Sequence, residues 1–321
     1  MFRVPPEAAG MRADVFVQSQ LRNTSRTRAR DIVERTAFSR EGRRIKPSDR
    51  VRPDDEIVLW RPSLNEDESP FEFTIIFEDE HLLVIDKPPL MAVHPTARHL
   101  NNTVLRRLSQ ARPGQFLSLI HRLDRDTSGL LLLGKSAESD RRFKRQIEDR
   151  SILAAHADTS ASLDSETFQK NYLALCNGIP NTSLIDAPLE VDPDNSLRVK
   201  MRIAKEGGMP ARTGITVLET RDNRALISCR LHTGRQHQIR VHLASIGCPI
   251  IGDKLYGPDD RLLARAADGE LTDEDRALLV LPRHALHAAH YRLRHAFTQE
   301  VLDLHAPLPP DLSAYWASLP T

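Results

Sequence analysis

Short apolar runs and amphipathic segments alternate along this chain, and the two patterns predict different elements. Apolar runs bounded by polar or turn residues are typical of buried strands. Such runs occur at residues 74–79, 81–86, 130–133, 171–178, 213–219 and 225–231. Amphipathic spacing predicts helices at residues 137–149 and 234–247. Residues 151–169 and 265–277 lack both patterns, and there we expect an inserted loop and an exposed acidic segment.

The N-terminal segment has a pattern of its own. It predicts two short helices and a strand, at residues 11–21, 26–36 and 56–60. A polar run that follows ends in Pro70 and is typical of a linker. The pattern therefore predicts a small N-terminal domain (residues 1–62), a linker (63–71) and a larger domain (72–315).

Length and composition place the chain among globular proteins. Its 321 residues, 40% of them hydrophobic and 28% charged, suffice for more than one buried core. The N-terminus has no apolar segment of signal-peptide length, and no apolar run approaches the length that spans a bilayer. Cys176, Cys229 and Cys248 have the spacing of neither a disulfide framework nor a zinc knuckle. We therefore expect a cytoplasmic protein with reduced thiols and no membrane partner.

Charge is distributed unevenly between the two predicted domains. Residues 1–62 carry fourteen basic and nine acidic side chains, a net charge of +5, whereas the remainder carries 31 basic and 35 acidic ones, a net charge of −4. An arginine-rich module on a near-neutral body favours docking of a polyanion, although charge alone fits a solvated surface equally well. The candidate RNA-docking residues are Arg26, Arg28, Arg30, Arg43 and Arg44.

Candidate chemistry concentrates in residues 121–129, HRLDRDTSG. Asp124 lies between Arg122 and Arg125, just before the apolar run at residues 130–133. A carboxylate flanked by cations and fixed beside a buried strand stays ionised and keeps its position. These properties suit a catalytic carboxylate, although most Asp-Arg pairs are surface ion pairs in turns.

Other chemistries fit parts of the pattern. The sequence HRLD is similar to a kinase catalytic loop, but no glycine-rich loop precedes it and no Asp-Phe-Gly follows. Asp124 and Asp126 would suit the carboxylate pair of a glycosidase, but few aromatic residues (5%) and the basic module fit RNA better than a sugar polymer. His284, His287 and His290 are spaced three apart, but no cysteine or acidic ligand clusters beside them, so we expect no metal.

The segment HRLDRDTSGLLLL resembles the active-site motif of the RluA family of pseudouridine synthases. Further similarities follow in the family's order, at VIDKPPLMAVHP (84–95), KNYLAL (170–175), TGRQHQIRVHLASIGCPIIGDKLYG (233–257) and LHAAHYRLRH (286–295). Together they cover roughly residues 72–310. The N-terminal module resembles the S-four-type RNA-binding domain, named after a ribosomal protein, that precedes many catalytic domains of this family.

The resemblance implies a fold and a reaction. The fold is α+β, with a mixed, mainly antiparallel sheet in the catalytic domain and a small α/β RNA-binding domain before it. The reaction is isomerisation of specific uridines in structured RNA to pseudouridine. Because it needs no redox change and no group transfer, no cofactor is implied.

The resemblance also assigns roles to residues. Asp124 would act at the glycosidic bond of the target uridine, and Arg240 would pair with it and keep it ionised. Tyr172 would lie against the uracil ring and help remove the proton from ring carbon five. Arg122 would help extrude the nucleotide, since a stacked base is out of reach. The other candidate substrate-binding residues are His121, Arg235, His237 and Gln238.

The RNA substrate stays open at this point. Large-subunit ribosomal RNA is favoured, since the S-four-type module often accompanies that role, and transfer RNA is the alternative. A non-catalytic RNA-binding protein is the third interpretation. The complete set of Asp124, Tyr172 and Arg240 favours an enzyme, because binding alone would not require all three. The sequence indicates no obligate protein partner.

Overall fold

The computed structural model describes residues 2–21, 24–59, 73–95, 102–156, 168–195, 199–259 and 261–320. The chain divides into two compact units, residues 1–66 and 67–321. The predicted linker, residues 63–71, lies outside the described residues. Within the described ranges, no helix combines the length and apolar character needed to cross a membrane.

The N-terminal unit combines a three-stranded sheet with two helices. Its elements are β1 (Phe2–Arg3), α1 (Ala13–Gln20), α2 (Arg26–Thr36), β2 (Ala37–Ser39) and β3 (Glu56–Leu59). Strand β3 lies between β1 and β2 and is antiparallel to both. Ala29 and Val33 of α2 are fully buried, so the arginines on the rest of that helix face solvent. The two predicted helices and the predicted strand are confirmed, apart from a residue or two at their ends.

The larger unit contains most of the described strands and helices. Its elements are β4 (Thr74–Glu78), β5 (Leu82–Lys87), α3 (Val104–Ala111), β6 (Ser118–Leu119), β7 (Ser128–Gly134), α4 (Ala137–His156), β8 (Gln169–Asn177), β9 (Leu184–Asp186), β10 (Leu189–Val191), β11 (Met201–Ile203), β12 (Arg212–Arg221), β13 (Arg224–Leu231), α5 (Gln238–Ser245), α6 (Leu262–Asp268), α7 (Asp273–Leu279), β14 (Leu286–Arg294), β15 (Val301–His305) and α8 (Pro310–Ser318).

One ten-stranded sheet runs through this unit. Eight strands follow the order β4-β5-β7-β14-β8-β13-β12-β9, while β15 pairs with β14 and β6 with β7. All neighbours are antiparallel except β7 and β14, which are parallel. The predicted hairpin forms from β4 and β5. The apolar run Leu130–Leu133 is buried on both faces, as a continuous rather than alternating pattern predicts. The mixed, mainly antiparallel sheet of the prediction is confirmed.

The segment predicted as an inserted loop, residues 151–169, is partly helical. Helix α4 continues to His156, seven residues beyond its predicted end at residue 149. No glycine or proline occurs within the helix, so nothing in its sequence ends it earlier. Residues 157–167 lie outside the described part of the chain, and β8 begins at Gln169.

The acidic segment, residues 265–277, is largely exposed as expected, and it also contributes to two short helices. Gly269, in the left-handed region (φ +76°), ends α6. Thr272 and Asp275 form a capping box at the start of α7. Arg265 of α6 forms an ion pair with Asp275, whose oxygen lies 2.6 Å away. The acidic residues therefore cap and connect the helices.

Candidate active site

The residues around Asp124 border a small pocket. Asp124 lies in the turn between β6 and β7, with 26% of its side chain exposed. Its carbonyl accepts a hydrogen bond from the Thr127 N–H, which closes the turn. The pocket is lined by Arg122, Leu123, Asp124, Thr127, Tyr172, Leu231, Arg235, His237, Gln238, Ile239, Arg240 and Leu286. Four of the five segments that resemble the family therefore contribute residues to this pocket.

Arg240 holds two carboxylates at once. Its Nη1 donates to Asp124 Oδ2 at 2.8 Å, while Nε and Nη2 donate to the two oxygens of Asp253 at 2.7 and 2.9 Å. Asp253 is 1% exposed, and its Oδ1 also accepts the backbone N–H groups of Leu255 and Tyr256. The bidentate pair with Asp253 fixes the plane of the guanidinium, so that Nη1 points at Asp124. The predicted pairing of Arg240 with Asp124 is present.

Electrostatics keep Asp124 ionised. Burial acts to raise its pKa, but the charge of Arg240 and the hydrogen bond from it outweigh burial and lower the pKa to about 2. Burial likewise acts to raise the pKa of Asp126, and His284 and Lys254 more than offset it. A glycosidase pair needs one carboxyl group that is protonated near neutral pH. Neither carboxyl group has the raised pKa that the general acid of a glycosidase needs, so this pair does not fit the glycosidase interpretation.

His237 approaches the second oxygen of Asp124. It precedes α5 in the left-handed region (φ +55°), and its Nδ1 lies 2.8 Å from the Tyr256 hydroxyl. That hydroxyl accepts the Met201 N–H; we assign its own proton to the bond with Nδ1 and the histidine proton to Nε2. Nε2 lies 3.8 Å from Asp124 Oδ1. Burial lowers the pKa of His237 to about 4, so it is a neutral N–H group facing the carboxylate.

Tyr172 forms one wall of the pocket. It is 7% exposed, and its hydroxyl lies 2.8 Å from the Tyr291 hydroxyl on the neighbouring strand β14. Burial raises the pKa of Tyr172 to about 12. At neutral pH the phenolate is then present at about 10⁻⁵ of the total. The ring offers a flat surface for a base, whereas a role in removing a proton would depend on that rare phenolate.

Two of the remaining candidates lie in the pocket and keep exposed or half-exposed cationic groups. Arg122 is exposed at the pocket, where it can reach a nucleic acid. Arg235 is half-buried and donates from Nε to the Pro210 carbonyl at 3.0 Å. Both positions suit contact with a phosphate or a base, and the role of these residues in substrate binding stays a prediction.

The other two candidates are occupied by contacts within the protein. Gln238 is 3% exposed, and its amide donates to the Arg212 carbonyl and the Thr213 hydroxyl while accepting from Thr233 and Arg235. It therefore ties the loop before α5 to β12, and that loop delays the start of α5 from the predicted residue 234 to Gln238. His121 lies outside the pocket lining, and its Nε2 accepts the Leu132 N–H at 3.2 Å.

Lys87 anchors the turn that carries Asp124. This lysine was not singled out from the sequence. It is fully buried at the end of β5, and its Nζ donates to the carbonyls of Pro88, Met91 and Arg125 at 2.7, 2.9 and 3.1 Å. Burial lowers the pKa of Lys87 to about 7. The Lys-Pro segment that resembles the family was the signal, because a lysine that ends a buried strand needs partners nearby.

The start of β14 and the residues just before it hold the other side of the turn. His284 Nε2 lies 2.7 Å from the Thr127 hydroxyl, and His287 Nδ1 lies 3.0 Å from the Ser128 hydroxyl. Arg283 donates to the Asp126 carbonyl at 3.2 Å. The three histidines considered for a metal therefore do not share one site, since His284 and His287 bind hydroxyl groups of the turn.

Gly129 makes the parallel contact between β7 and β14 possible. Its φ is +108°, a region that side chains rarely adopt. A Cβ atom there would lie 2.3 Å from the carbonyl oxygen of Ala288, its partner across the strands. Glycine is therefore required where the Asp124 turn enters the sheet.

Comparison with known proteins identifies the family to which this chain belongs. The family model described as RNA pseudouridylate synthase matches residues 81–245. The chain belongs to the RNA pseudouridylate synthase family. It is accordingly an isomerase that acts on RNA, as the motifs predicted.

Relatives of this pseudouridine synthase match along nearly its whole length. Ribosomal large subunit pseudouridine synthase D of Nitrosomonas europaea is 33% identical over 320 residues, 97% of this chain and 85% of that protein. The protein of the same name from Zymomonas mobilis is 33% identical over 334 residues, 98% and 95% of the two chains. The structure of human RNA pseudouridylate synthase domain containing 4 covers 77% of this chain and 94% of its own, with a TM-score of 0.56 at 24% identity, and shares the fold.

The N-terminal unit of this pseudouridine synthase presents the five predicted RNA-docking arginines to solvent. Arg30 and Arg44 line one groove together with Arg12 and Lys46. Arg44 also donates to the Glu34 carbonyl at 2.7 Å, which holds its side chain over the groove. The groove is a concave, cationic surface of the kind that accepts phosphate groups.

Proposed function

We propose that this pseudouridine synthase modifies uridine in large-subunit ribosomal RNA. The names of relatives that match along nearly the whole chain support this RNA over transfer RNA. The cationic groove of the N-terminal unit supports binding of a folded polyanion. A cytoplasmic location fits such a substrate.

The observation that carries the catalytic proposal is the 2.8 Å bond between Arg240 Nη1 and Asp124 Oδ2, at the edge of a pocket walled by Tyr172. Arg240 holds Oδ2, and His237 stands 3.8 Å from Oδ1. Oδ1 is then the oxygen that faces the substrate, ionised and fixed in direction. It acts at the glycosidic bond of the uridine.

The remaining roles follow from what the reaction requires. The bond from the sugar to the ring nitrogen breaks, the uracil turns, and a bond from the sugar to carbon five forms. Carbon five loses its proton and the freed ring nitrogen gains one, so that the product is an isomer of uridine. The base must first leave its stack, which costs a few kcal/mol. Arg122, exposed at the pocket, enters the vacated space, since a guanidinium can both stack and hydrogen-bond. Tyr172 supports the face of the free uracil while it turns.

Tritium release from RNA labelled at carbon five of uridine tests the proposal. Wild type should release tritium from large-subunit ribosomal RNA transcripts and much less from transfer RNA. Asp124→Asn, which keeps an oxygen for Arg240, should abolish release and leave the Kd for RNA within about twofold. Release from transfer RNA alone would overturn the substrate assignment. Equal release by Asp124→Asn would overturn the catalytic one, and tight binding without release from either RNA would favour a binding protein.

The docking proposal has a separate test in the salt dependence of binding. Each phosphate contact that is lost should reduce the slope of log Kd against log salt by about one. Arg30→Gln with Arg44→Gln should therefore lower the slope by about two. Arg276→Gln, on an exposed face of α7, is the matched control and should leave the slope unchanged. An unchanged slope in the double variant would place RNA docking elsewhere.

A further inference from the structure

A cluster outside the catalytic pocket joins three side chains with metal-binding chemistry. On β14 and β15, the Nε2 atoms of His290 and His305 lie 2.6 and 3.0 Å from the same oxygen of Asp303. The two imidazole rings are stacked, with centroids 4.4 Å apart and planes 13° from parallel. One ligand atom of each residue lies within 4.8 Å of the others.

Strand pairing places these side chains together. His290 and His305 are directly opposite each other in the antiparallel pair of β14 and β15. Asp303 lies two residues before His305 and so projects from the same face of β15. The neighbouring Tyr291 is 2% exposed, which shows that the histidines occupy the outer face. The two strands therefore hold the ligand atoms close together before any ion arrives.

A fourth residue orients one of the imidazoles. The side-chain amide of Asn171, on the adjacent strand β8, lies 2.9 Å from Nδ1 of His290. The atom that faces Nδ1 is the amide nitrogen; when the amide turns over, its carbonyl oxygen accepts the Nδ1 proton and leaves the Nε2 lone pair to a metal. Metal-binding histidines commonly use their other ring nitrogen in this way.

We propose that His290, Asp303 and His305 bind a first-row divalent cation such as Zn²⁺. Two imidazole nitrogens and one carboxylate oxygen form a three-ligand set that zinc completes with water. Magnesium and calcium prefer oxygen ligands and full oxygen shells, so the two nitrogens disfavour them. The cation lies between the imidazoles and Asp303, in place of their direct Nε2–Oδ1 contacts. The site is independent of the RNA substrate proposed above.

Replacement of Arg292 should change the affinity for metal in the opposite direction from replacement of a ligand. Arg292 Nη1 lies 3.7 Å from Asp303 Oδ2 and competes with a cation for that carboxylate. Removal of this charge should strengthen metal binding, whereas removal of a ligand should weaken it. His305 is a suitable ligand to remove, because its side chain is 68% exposed and contributes little to packing.

Zinc binding is measured by calorimetric titration of the untagged, full-length protein after treatment with EDTA. Wild type should bind one equivalent of Zn²⁺. His305→Ala should bind at least about tenfold more weakly, and Arg292→Gln should bind more tightly than wild type. Co²⁺ should give the visible spectrum of a four-coordinate site without the intense charge-transfer band of a thiolate.

Two results would overturn the proposal. One is the absence of saturable Zn²⁺ binding by wild type. The other is equal binding by wild type and His305→Ala, which would place the metal on other residues. In that case a thiolate band with Co²⁺ would identify cysteines as the ligands. Thermal unfolding gives a second measurement, because a cation that joins β14 to β15 raises the midpoint of wild type and not of His305→Ala.

Discussion

Replacement of Arg240 by lysine tests whether the geometry of the cation, beyond its charge, prepares Asp124 for catalysis. The guanidinium makes three hydrogen bonds to two carboxylates, with Asp253 held on two nitrogens and Asp124 on the third. A lysine ammonium is a single point and can approach only one of these carboxylates well. Asp253 has the larger share of the contacts, so the ammonium of the Arg240→Lys variant would lie against it and leave Asp124 without a direct donor.

The magnitude follows from the bonds that are lost. A hydrogen bond to a charged group contributes about 1.5–3 kcal/mol, so the loss of two should lower the free energy of unfolding by at least about 3 kcal/mol. In a domain of this size that corresponds to a decrease in Tm of roughly 6–12 °C. A carboxylate that is no longer fixed in direction should slow the chemical step by about 10²-fold.

The assay combines single-turnover tritium release, RNA binding and thermal unfolding on the same preparations. The expected result is slow release and a lower Tm with nearly unchanged affinity for RNA. Arg276→Lys is the matched control, since that arginine is 64% exposed on α7 and should tolerate lysine in all three measurements. Wild-type release and Tm in Arg240→Lys would refute the reasoning, because charge alone would then suffice to hold Asp124.

Three further predictions concern the groups around the turn. Tyr291→Phe leaves the buried Tyr172 hydroxyl without its partner at 2.8 Å. The variant should lose about 1 kcal/mol of unfolding free energy and release tritium about fivefold more slowly. Unchanged release would show that the tyrosine pair takes no part in the mechanism. Since burial lowers the pKa of Lys87 to about 7, the folded chain binds fewer protons than the unfolded chain above that pH, and stability should rise with pH from 7 to 9 by up to about 1.4 kcal/mol per unit. Denaturant unfolding should show that rise in wild type and not in Lys87→Met, and parallel pH curves for the two proteins would contradict it. The lowered pKa of Asp124 also makes stability rise with pH, but in the acid range. Its contribution, about 2 kcal/mol, is present above pH 4 and is lost as pH falls toward 2, so Asp124→Asn should lose less stability than wild type across that interval.

The parts of the fold that sequence predicted are those encoded locally. The run Leu130–Leu133 reads as a buried strand because every residue in it is apolar, and β7 is fully buried. The start of α5 was misplaced by four residues, because a long-range contact decides it. Gln238 bonds to Arg212 and Thr213 on β12, and no local pattern reveals that neighbour.

The candidate site likewise has parts that the sequence predicted and parts that depend on contacts between distant residues. Asp124 and Arg240 could be paired from motifs, since the family resemblance implied that the two residues meet. Asp253 was not found, although it lies in the quoted motif at residues 233–257, because a single aspartate after an apolar run gives no sign of its partner. The buried Lys87 and His284 were missed as anchors of the turn for the same reason, since their partners are backbone or hydroxyl groups that any sequence contains.

The parallel pairing of β7 with β14 determines when, during synthesis, the turn that carries Asp124 can be fully held. Asp124 leaves the ribosome well before the residues that fix its turn, His284 and His287, which come from the last part of the chain. Chains fold as they emerge, N-terminal parts first. A nascent chain, or one cut by a protease before residue 284, therefore carries Asp124 on a turn that Lys87 contacts but that lacks the contacts from His284 and His287. The turn is therefore held from both sides only in a chain that extends past His287.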